Sequence, residues 1–148
     1  MARYRVAFTT TATAAGTPLV DVEAVASDRP RIREIGFFLN AATASNIGIG
    51  RSGNTPVPGA GTGTLGQAEE PGDPVATGKV WTAWATTAPT IPSAFMMKLA
   101  LPATIGAGFV LTFPYGDGLI VNATNSLVLW NYGGGACSVL NGYIAWDE

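Results

Sequence analysis

The sequence contains no histidine and only one cysteine among its 148 residues. Without histidine, Ser-His-Asp and Cys-His catalysis, histidine metal sites and the usual pH switch are excluded. Cys137 has no second cysteine with which to form an intrachain disulfide, and it lies in an apolar strand pattern without a basic neighbour. We therefore expect a buried, unreactive thiol and folding in a reducing cytoplasm.

Charge is also scarce, since charged residues make up 12% of the chain against a usual share of roughly 25%. Between Val80 and Trp146 only Lys98 and Asp117 carry a formal charge. The net charge of −2 gives no reason to expect binding to nucleic acid or to an anionic membrane. A protein with so little charge has to cover apolar surface, and association with other chains is the usual way.

Long apolar runs are missing as well. None approaches the roughly 20 residues of a membrane helix, and the first sixteen residues lack the apolar core of a signal peptide. The 19 glycines and 10 prolines instead divide the chain into short segments, as is typical of strands joined by turns. We expect one domain over residues 1–148.

Alternating apolar residues predict strands in both halves of the chain. Clear examples are Tyr4/Val6/Phe8, Ile35/Phe37/Leu39, Val80 to Ala85, Phe95/Met97/Leu99/Leu101, Phe109/Leu111/Phe113, Leu127/Leu129 and Leu140/Ile144/Trp146. Roughly eight to ten strands without a helix predict an all-β fold, an antiparallel β-sandwich of jelly-roll type or a related barrel. We expect the second half of the chain, from Lys79 to Glu148, to supply most of the core and the self-association surface. The order of the strands does not follow from the sequence.

Two segments are less regular. Residues 1–16 begin with a strand pattern and form either a strand or an N-terminal arm. Residues 52–78 are rich in glycine and proline, and we expect an extended surface loop there, with a helical turn at Leu65 to Glu70 as an alternative.

Two motifs suggest chemistry that their context does not favour. Gly48, Gly50 and Gly53 match the dinucleotide pattern G-x-G-x-x-G, but a loop follows them instead of the helix that would bind the pyrophosphate. Glu69, Glu70 and Asp73 offer paired carboxylates for glycoside hydrolysis or oxygen ligands for a cation. A solvated acidic loop is the favoured interpretation, so we expect no catalytic residue, metal or cofactor.

The aromatic residues allow two interpretations. Four tryptophans and the tyrosines Tyr115, Tyr132 and Tyr143 are candidates for a carbohydrate platform. Because many of them fall within strand alternation, a core or oligomer interface is favoured. The residues expected there are Trp81, Trp84, Phe95, Met97, Phe113, Trp130, Tyr143 and Trp146.

Five of the eight basic residues lie within the first 33 positions: Arg3, Arg5, Arg29, Arg31 and Arg33. They are either solvated charges that protect strand edges or an electropositive patch that docks on an acidic partner. Glu69 and Glu70 are further candidates for contact with a partner.

Most of the chain resembles small virion proteins encoded by tailed bacteriophages. The similarity lies in LPATIGAGFVLTFPYGDGLIVNATNSLVLWNYG, in the final IAWDE, and upstream in GFFLNAATASNIGIGRSGN and LGQAEEPGDP. The resemblance implies a jelly-roll head decoration (cement) protein, a homotrimer that clamps neighbouring subunits of the major capsid protein. It further implies synthesis in the host cytoplasm and a final location on the surface of the phage head.

Two alternatives of other classes stay open. One is a tail-associated or receptor-binding module in which the same sandwich recognises a host surface glycan. The other is a small hydrolase that uses Glu69, Glu70 or Asp73.

Overall fold

The computed structural model describes residues 1–11, 13–24, 28–54, 57–58 and 63–148, with the backbone alone for 57–58 and 85–86. These residues contain strands, turns and bends but no helix, which confirms the predicted all-β class. No helix in the described part of the chain is thus long and apolar enough to span a membrane. The strands are β1 (Arg3–Thr9), β2 (Pro18–Glu23), β3 (Arg31–Leu39), β4 (Ser45–Arg51), β5 (Val57–Pro58), β6 (Thr64–Leu65), β7 (Gln67–Ala68), β8 (Lys79–Trp81), β9 (Trp84–Thr87), β10 (Phe95–Leu101), β11 (Gly108–Thr112), β12 (Leu119–Ile120), β13 (Leu127–Asn131) and β14 (Leu140–Asp147).

Two large antiparallel sheets form the fold. Sheet A has the order β11-β3-β14-β1-β7, and β12 pairs with β3 alongside β11. Sheet B has the order β10-β4-β13-β2-β8-β6, while β5 and β9 form a small separate sheet. Side chains from both large sheets pack in one hydrophobic core. The predicted antiparallel β-sandwich is therefore confirmed.

The long strands of the first half pair with those of the second half in reverse order. β1 pairs with β14, β2 with β13, β3 with β11 and β4 with β10. The chain thus runs like one long antiparallel hairpin folded around the core. This nested pairing depends on contacts between residues far apart in the sequence.

Alternation along β1 follows the prediction, because Tyr4, Val6 and Phe8 are buried while Arg3 and Arg5 are exposed. The central strands of sheet B behave differently, since β2 and β13 are buried along almost their whole length. Part of the chain covers their outer face: the side chain of Pro92 lies against Gly50 of β4, which is paired with Val128 of β13. For these strands, the chain itself covers both faces.

The second half does not supply most of the core, and that prediction is wrong. More than half of the buried hydrophobic residues in the described chain precede Lys79. Nested pairing is the physical reason, because each long strand from one half places its apolar side chains beside those of a strand from the other half.

Other segments also differ from the sequence-based picture. Val80 to Ala85 was predicted as one strand, but β8 lies in sheet B and β9 pairs with β5. Leu65 to Glu70 contains β6 and β7 instead of a helical turn, and Gly48 and Gly50 belong to strand β4. Residues Arg3–Thr9 are a strand inside sheet A. Residues 55–56 and 59–62 of the predicted loop lie outside the described residues.

Candidate protein-binding surface

Four of the five predicted contact arginines meet on the outer face of sheet A. Arg3 and Arg5 point outward from β1, because the alternate residues enter the core. Asp147 of β14 is paired in register with Arg3 on one side and Arg31 on the other. Arg33 joins them at a bulge in β3, opposite the step from Ala145 to Trp146. We call this surface the arginine face; it comprises Arg3, Arg5, Arg31, Arg33, Glu34, Glu69 and Asp147.

Asp147 is the centre of the arginine face. Its Oδ1 accepts a hydrogen bond from Nε of Arg3 at 2.9 Å, and its Oδ2 lies 3.2 Å from Nε of Arg33. The side chains of Asp147 and Arg33 are both buried, whereas that of Arg3 is 45% exposed. The hydrogen bond with Asp147, and then its negative charge, raise the pKa of Arg3. One buried carboxylate therefore orders two guanidinium groups.

Arg33 also holds the turn at residues 114–117 against sheet A. Its guanidinium donates hydrogen bonds to the carbonyl oxygens of Pro114 and Asp117 and lies 5.4 Å from the ring centre of Tyr115. Arg31 donates to the carbonyl oxygen of Gly116 at 2.7 Å. These contacts position Tyr115, whose side chain is strongly exposed, at the rim of the arginine face.

Arg5 joins the arginine face to an aromatic ring. Its Nη2 lies 3.1 Å from Oε1 of Glu69, and its guanidinium carbon lies 5.2 Å from the ring centre of Tyr143. The ring of Tyr143 lies close to Gly36, where an added Cβ would come within 2.5 Å of it. The neighbouring Glu34 carboxylate raises the pKa of Tyr143, chiefly by hydrogen bonding, and burial adds to this effect.

The arginine face is therefore a surface of alternating charges, in which ion pairs compensate part of the positive charge that one of the two sequence interpretations invoked. Asp147 compensates part of the positive charge, and Glu69 compensates Arg5. The guanidinium groups of Arg3 and Arg5 still have donors available, since about half of each side chain is exposed. Arg29 lies outside this network, exposed in the segment before β3.

A polar cavity of about 260 Å³ lies beside the arginine face. Its lining residues are Met1, Arg3, Glu69, Glu70, Asp73, Tyr115 and Asp147. The three carboxylates considered for catalysis or cation binding are thus close together, but Glu69 is paired with Arg5 and Glu70 is exposed. Over the described residues, no group of three or more acidic or cysteine side chains is arranged to hold a metal ion.

The residues predicted for a core or oligomer interface are divided between two environments. Trp146 is fully buried in the core, 6.2 Å from the ring of Tyr4, and Trp130 is buried on the outer side of sheet B. The others are partly buried: Trp81, Trp84, Phe95, Met97, Phe113 and Tyr143. The Cys137 thiol is buried and its pKa is raised by burial, as expected for an unreactive thiol.

The roles of two acidic residues, Asp147 and Asp21, have no signal in the sequence. In the sequence, Asp147 has the position of an ordinary solvent-exposed residue near the end of a strand. Its role is evident only from the pairing of β14 with β1 and β3. In β2, Asp21 alternates with Val20 and Val22, the pattern of a residue that faces solvent, but it is fully buried, and burial raises its pKa to about 7. The alternation of polar and apolar residues in a strand does not reveal whether another segment covers its outer face.

The chain matches no protein-family model, no curated protein and no solved structure. A function for it is therefore inferred from the arrangement of its own residues. Five of the seven residues predicted to contact a partner come together on the arginine face, which lies mainly on the central strands of sheet A.

Proposed function

We propose that this protein is a head decoration (cement) protein of a tailed bacteriophage. It is made in the host cytoplasm, binds the outer surface of the head as a homotrimer, and stabilises neighbouring subunits of the major capsid protein. The observation that carries the proposal is the arginine face, a preordered surface of mixed charge on a rigid sheet.

The chemistry of the arginine face suits a protein partner. Asp147 and Glu69 hold the guanidinium groups of Arg3 and Arg5 in place, so less side-chain entropy is lost when a partner binds. An exposed guanidinium binds a carboxylate through two parallel hydrogen bonds. Alternating charges also fix the register of a contact, because a shifted partner brings like charges together.

The strand order supports the same proposal. Eight long strands in two sheets, paired as a folded hairpin, have the connectivity expected of a jelly roll, an architecture that viral capsid and lectin domains use. We propose that the sandwich is a jelly roll. A fold of this kind fits many functions, so the arginine face carries the assignment and the fold only agrees with it.

Binding to a shell does not require a strong individual contact. A homotrimer places three copies of the arginine face next to a repeating lattice, and linked contacts increase the overall affinity without any new interaction. The expected role is therefore to join adjacent capsid subunits through several modest contacts.

The test is co-sedimentation of the purified protein with expanded capsids that lack it. We expect saturable binding, and we expect Arg5→Gln to weaken it about tenfold, which corresponds to ~1.4 kcal/mol. Lys79→Gln removes the same charge from sheet B, away from the arginine face, and is the matched control with unchanged affinity. A protein that does not bind such capsids, or equal losses in the two variants, would refute the proposal.

One observation favours a second function. Tyr115 is 82% exposed at the mouth of the cavity that Arg3, Asp73 and Asp147 line, and an exposed ring beside charged hydrogen-bonding groups suits a sugar. A tail-associated or receptor-binding module would bind host surface glycans there. Binding on a glycan array that is lost in Tyr115→Ala, together with no binding to capsids, would favour this alternative.

A further inference from the structure

The two sheets end differently on the two sides of the sandwich. On one side, β6 extends sheet B and β7 extends sheet A, with only Gly66 between them. These two short strands connect the sheets and close that side. On the other side the sheets end at β10 and β11, which are joined by residues 102–107. We call β10, residues 102–107 and β11 the open seam.

At the open seam, apolar side chains that point towards the core and apolar side chains that point outward are both exposed to some extent. Those directed towards the core pack against it but are only partly buried: Met97, Leu99, Leu101, Phe109 and Leu111. Others are directed outward and are strongly exposed: Met96 at 48%, Ile105 at 68% and Val110 at 45%. Next to them the side chain of Phe38 lies against Gly108, and Phe38 is 37% exposed. The hydrophobic core is thus incompletely covered at the open seam.

The open seam also leaves two strand edges unpaired. Within the described residues, β10 pairs only with β4 and β11 only with β3, so each presents a row of free backbone donors and acceptors. Its one charged residue is Lys98, whose ammonium lies over the rings of Phe95 and Tyr132, at 5.3 and 5.0 Å from their centres. β11 contains neither lysine nor proline, the residues that commonly protect edge strands that stay single.

We propose that the open seam binds the open seam of a second copy of this chain, with the β10 edge of one copy against the β11 edge of the next, a head-to-tail contact that can close into a ring of three. The reason for this occupant is charge: the open seam is almost uncharged, so its complement has to be almost uncharged too. The arginine face is densely charged and is a poor match, whereas a second open seam is a good one. Pairing of free edges would continue the sheets from one copy to the next and bury the partly exposed core residues. This inference deepens the proposed function, since it names the surface through which the homotrimer forms.

The experiment measures molar mass in solution by light scattering after gel filtration. The wild-type chain is expected at a multiple of 15.2 kDa, with the homotrimer at three times that value. The double variant Met96→Lys/Val110→Lys adds charges at exposed positions on the two edge strands and is expected at the mass of one chain. The control Val75→Lys changes a 78% exposed valine outside the open seam and is expected to keep the wild-type mass.

A second measurement does not depend on any variant. Hydrogen exchange of the wild-type amides in β10 and β11 should slow as the protein concentration rises, while exchange in β7 should not change. A single-chain mass at all concentrations, concentration-independent exchange, or an unchanged mass in the double variant would overturn the proposal. If the protein binds capsids as a single chain, the proposed self-association at the open seam is wrong, but the proposed role of the arginine face is supported. If it forms a homotrimer that does not bind capsids, the proposed function is wrong, but self-association is supported.

Discussion

Nε of Arg33 lies 3.2 Å from Oδ2 of Asp147, and both side chains are more than nine-tenths buried. Asp147→Asn would leave a buried guanidinium without its counter-charge, so we expect a loss of about 3 kcal/mol in the free energy of unfolding. The measurement is denaturant unfolding. Glu69→Gln is the control, because it breaks the exposed pair with Arg5 on the same face and should cost less than about 1 kcal/mol. Equal small losses would show that the Asp147 carboxylate is not required.

The buried carboxyl of Asp21 predicts an unusual pH dependence. Its pKa is raised from 3.8 to about 7 by burial, which the Ser126 hydroxyl opposes and the charge of Glu23 reinforces. Between these two pKa values the folded state binds the proton and the unfolded state has released it. The contribution of Asp21 to stability is therefore complete below about pH 4 and is lost as the pH rises to 7, by at most ~1.4 kcal/mol per pH unit.

The variant Asp21→Asn tests this pH dependence, because an amide does not titrate. Other carboxylates titrate in the same range, so the quantity to follow is the difference in unfolding free energy between variant and wild type. We expect this difference to move in favour of the variant between pH 4 and pH 7. A difference that is constant across that range would contradict the prediction.

Gly36 is expected to be sensitive to a single added methyl group. A Cβ at this position would lie 2.5 Å from Cε1 of Tyr143, so Gly36→Ala forces the ring away from its place beside Arg5. We expect a loss of about 1–3 kcal/mol, the usual cost of overpacking. In a Tyr143→Ala background the same change should cost much less, which thermal unfolding of the two single variants and the double variant would show. Additive effects would mean that the ring is not what excludes the methyl group.

Glu148 should be required to hold residues 77–78 in place. Its Oε2 accepts a hydrogen bond from the amide of Thr77 at 2.9 Å, and its Oε1 accepts from the amide of Gly78 at 2.7 Å and from the indole of Trp146 at 2.8 Å. We expect Glu148→Ala to cost about 2 kcal/mol, as for hydrogen bonds to a charged group. Hydrogen exchange at Thr77 and Gly78 should become faster.

A matched control for Glu148 is Glu70→Ala, since Glu70 is an exposed carboxylate whose loss should change stability by less than about 0.5 kcal/mol. Unchanged exchange at Thr77 and Gly78 in Glu148→Ala would contradict the assigned role.

The sequence was sufficient for the class of fold and for single strands. Tyr4, Val6 and Phe8 alternate with polar neighbours, and such a pattern needs only local information. β2 and β13 could not be interpreted in the same way, because segments from elsewhere in the chain bury their outer face. Which strand covers or pairs with which is decided by contacts across the whole chain.

The residues of the arginine face were only partly predictable from the sequence, because local patterns reveal its arginines but not the partners that strand pairing brings to them. The arginines near the N-terminus stood out because the rest of the chain has so little charge. Their partner Asp147 lies 144 positions from Arg3, and no local pattern connects the two. The ion pairs between these arginines and Asp147 therefore depend on strand pairing, which the sequence alone does not show.

Nested pairing also has a consequence for synthesis on the ribosome. β14 lies between β1 and β3, so sheet A has a gap at its centre until residues 140–147 have left the exit tunnel. Folds dominated by such distant contacts form slowly. The arginine face needs Asp147 from that strand, so a nascent chain carries arginines without their organising carboxylate. A partner that recognises the arginine face would thus distinguish chains in which β14 is in place from chains in which it is not.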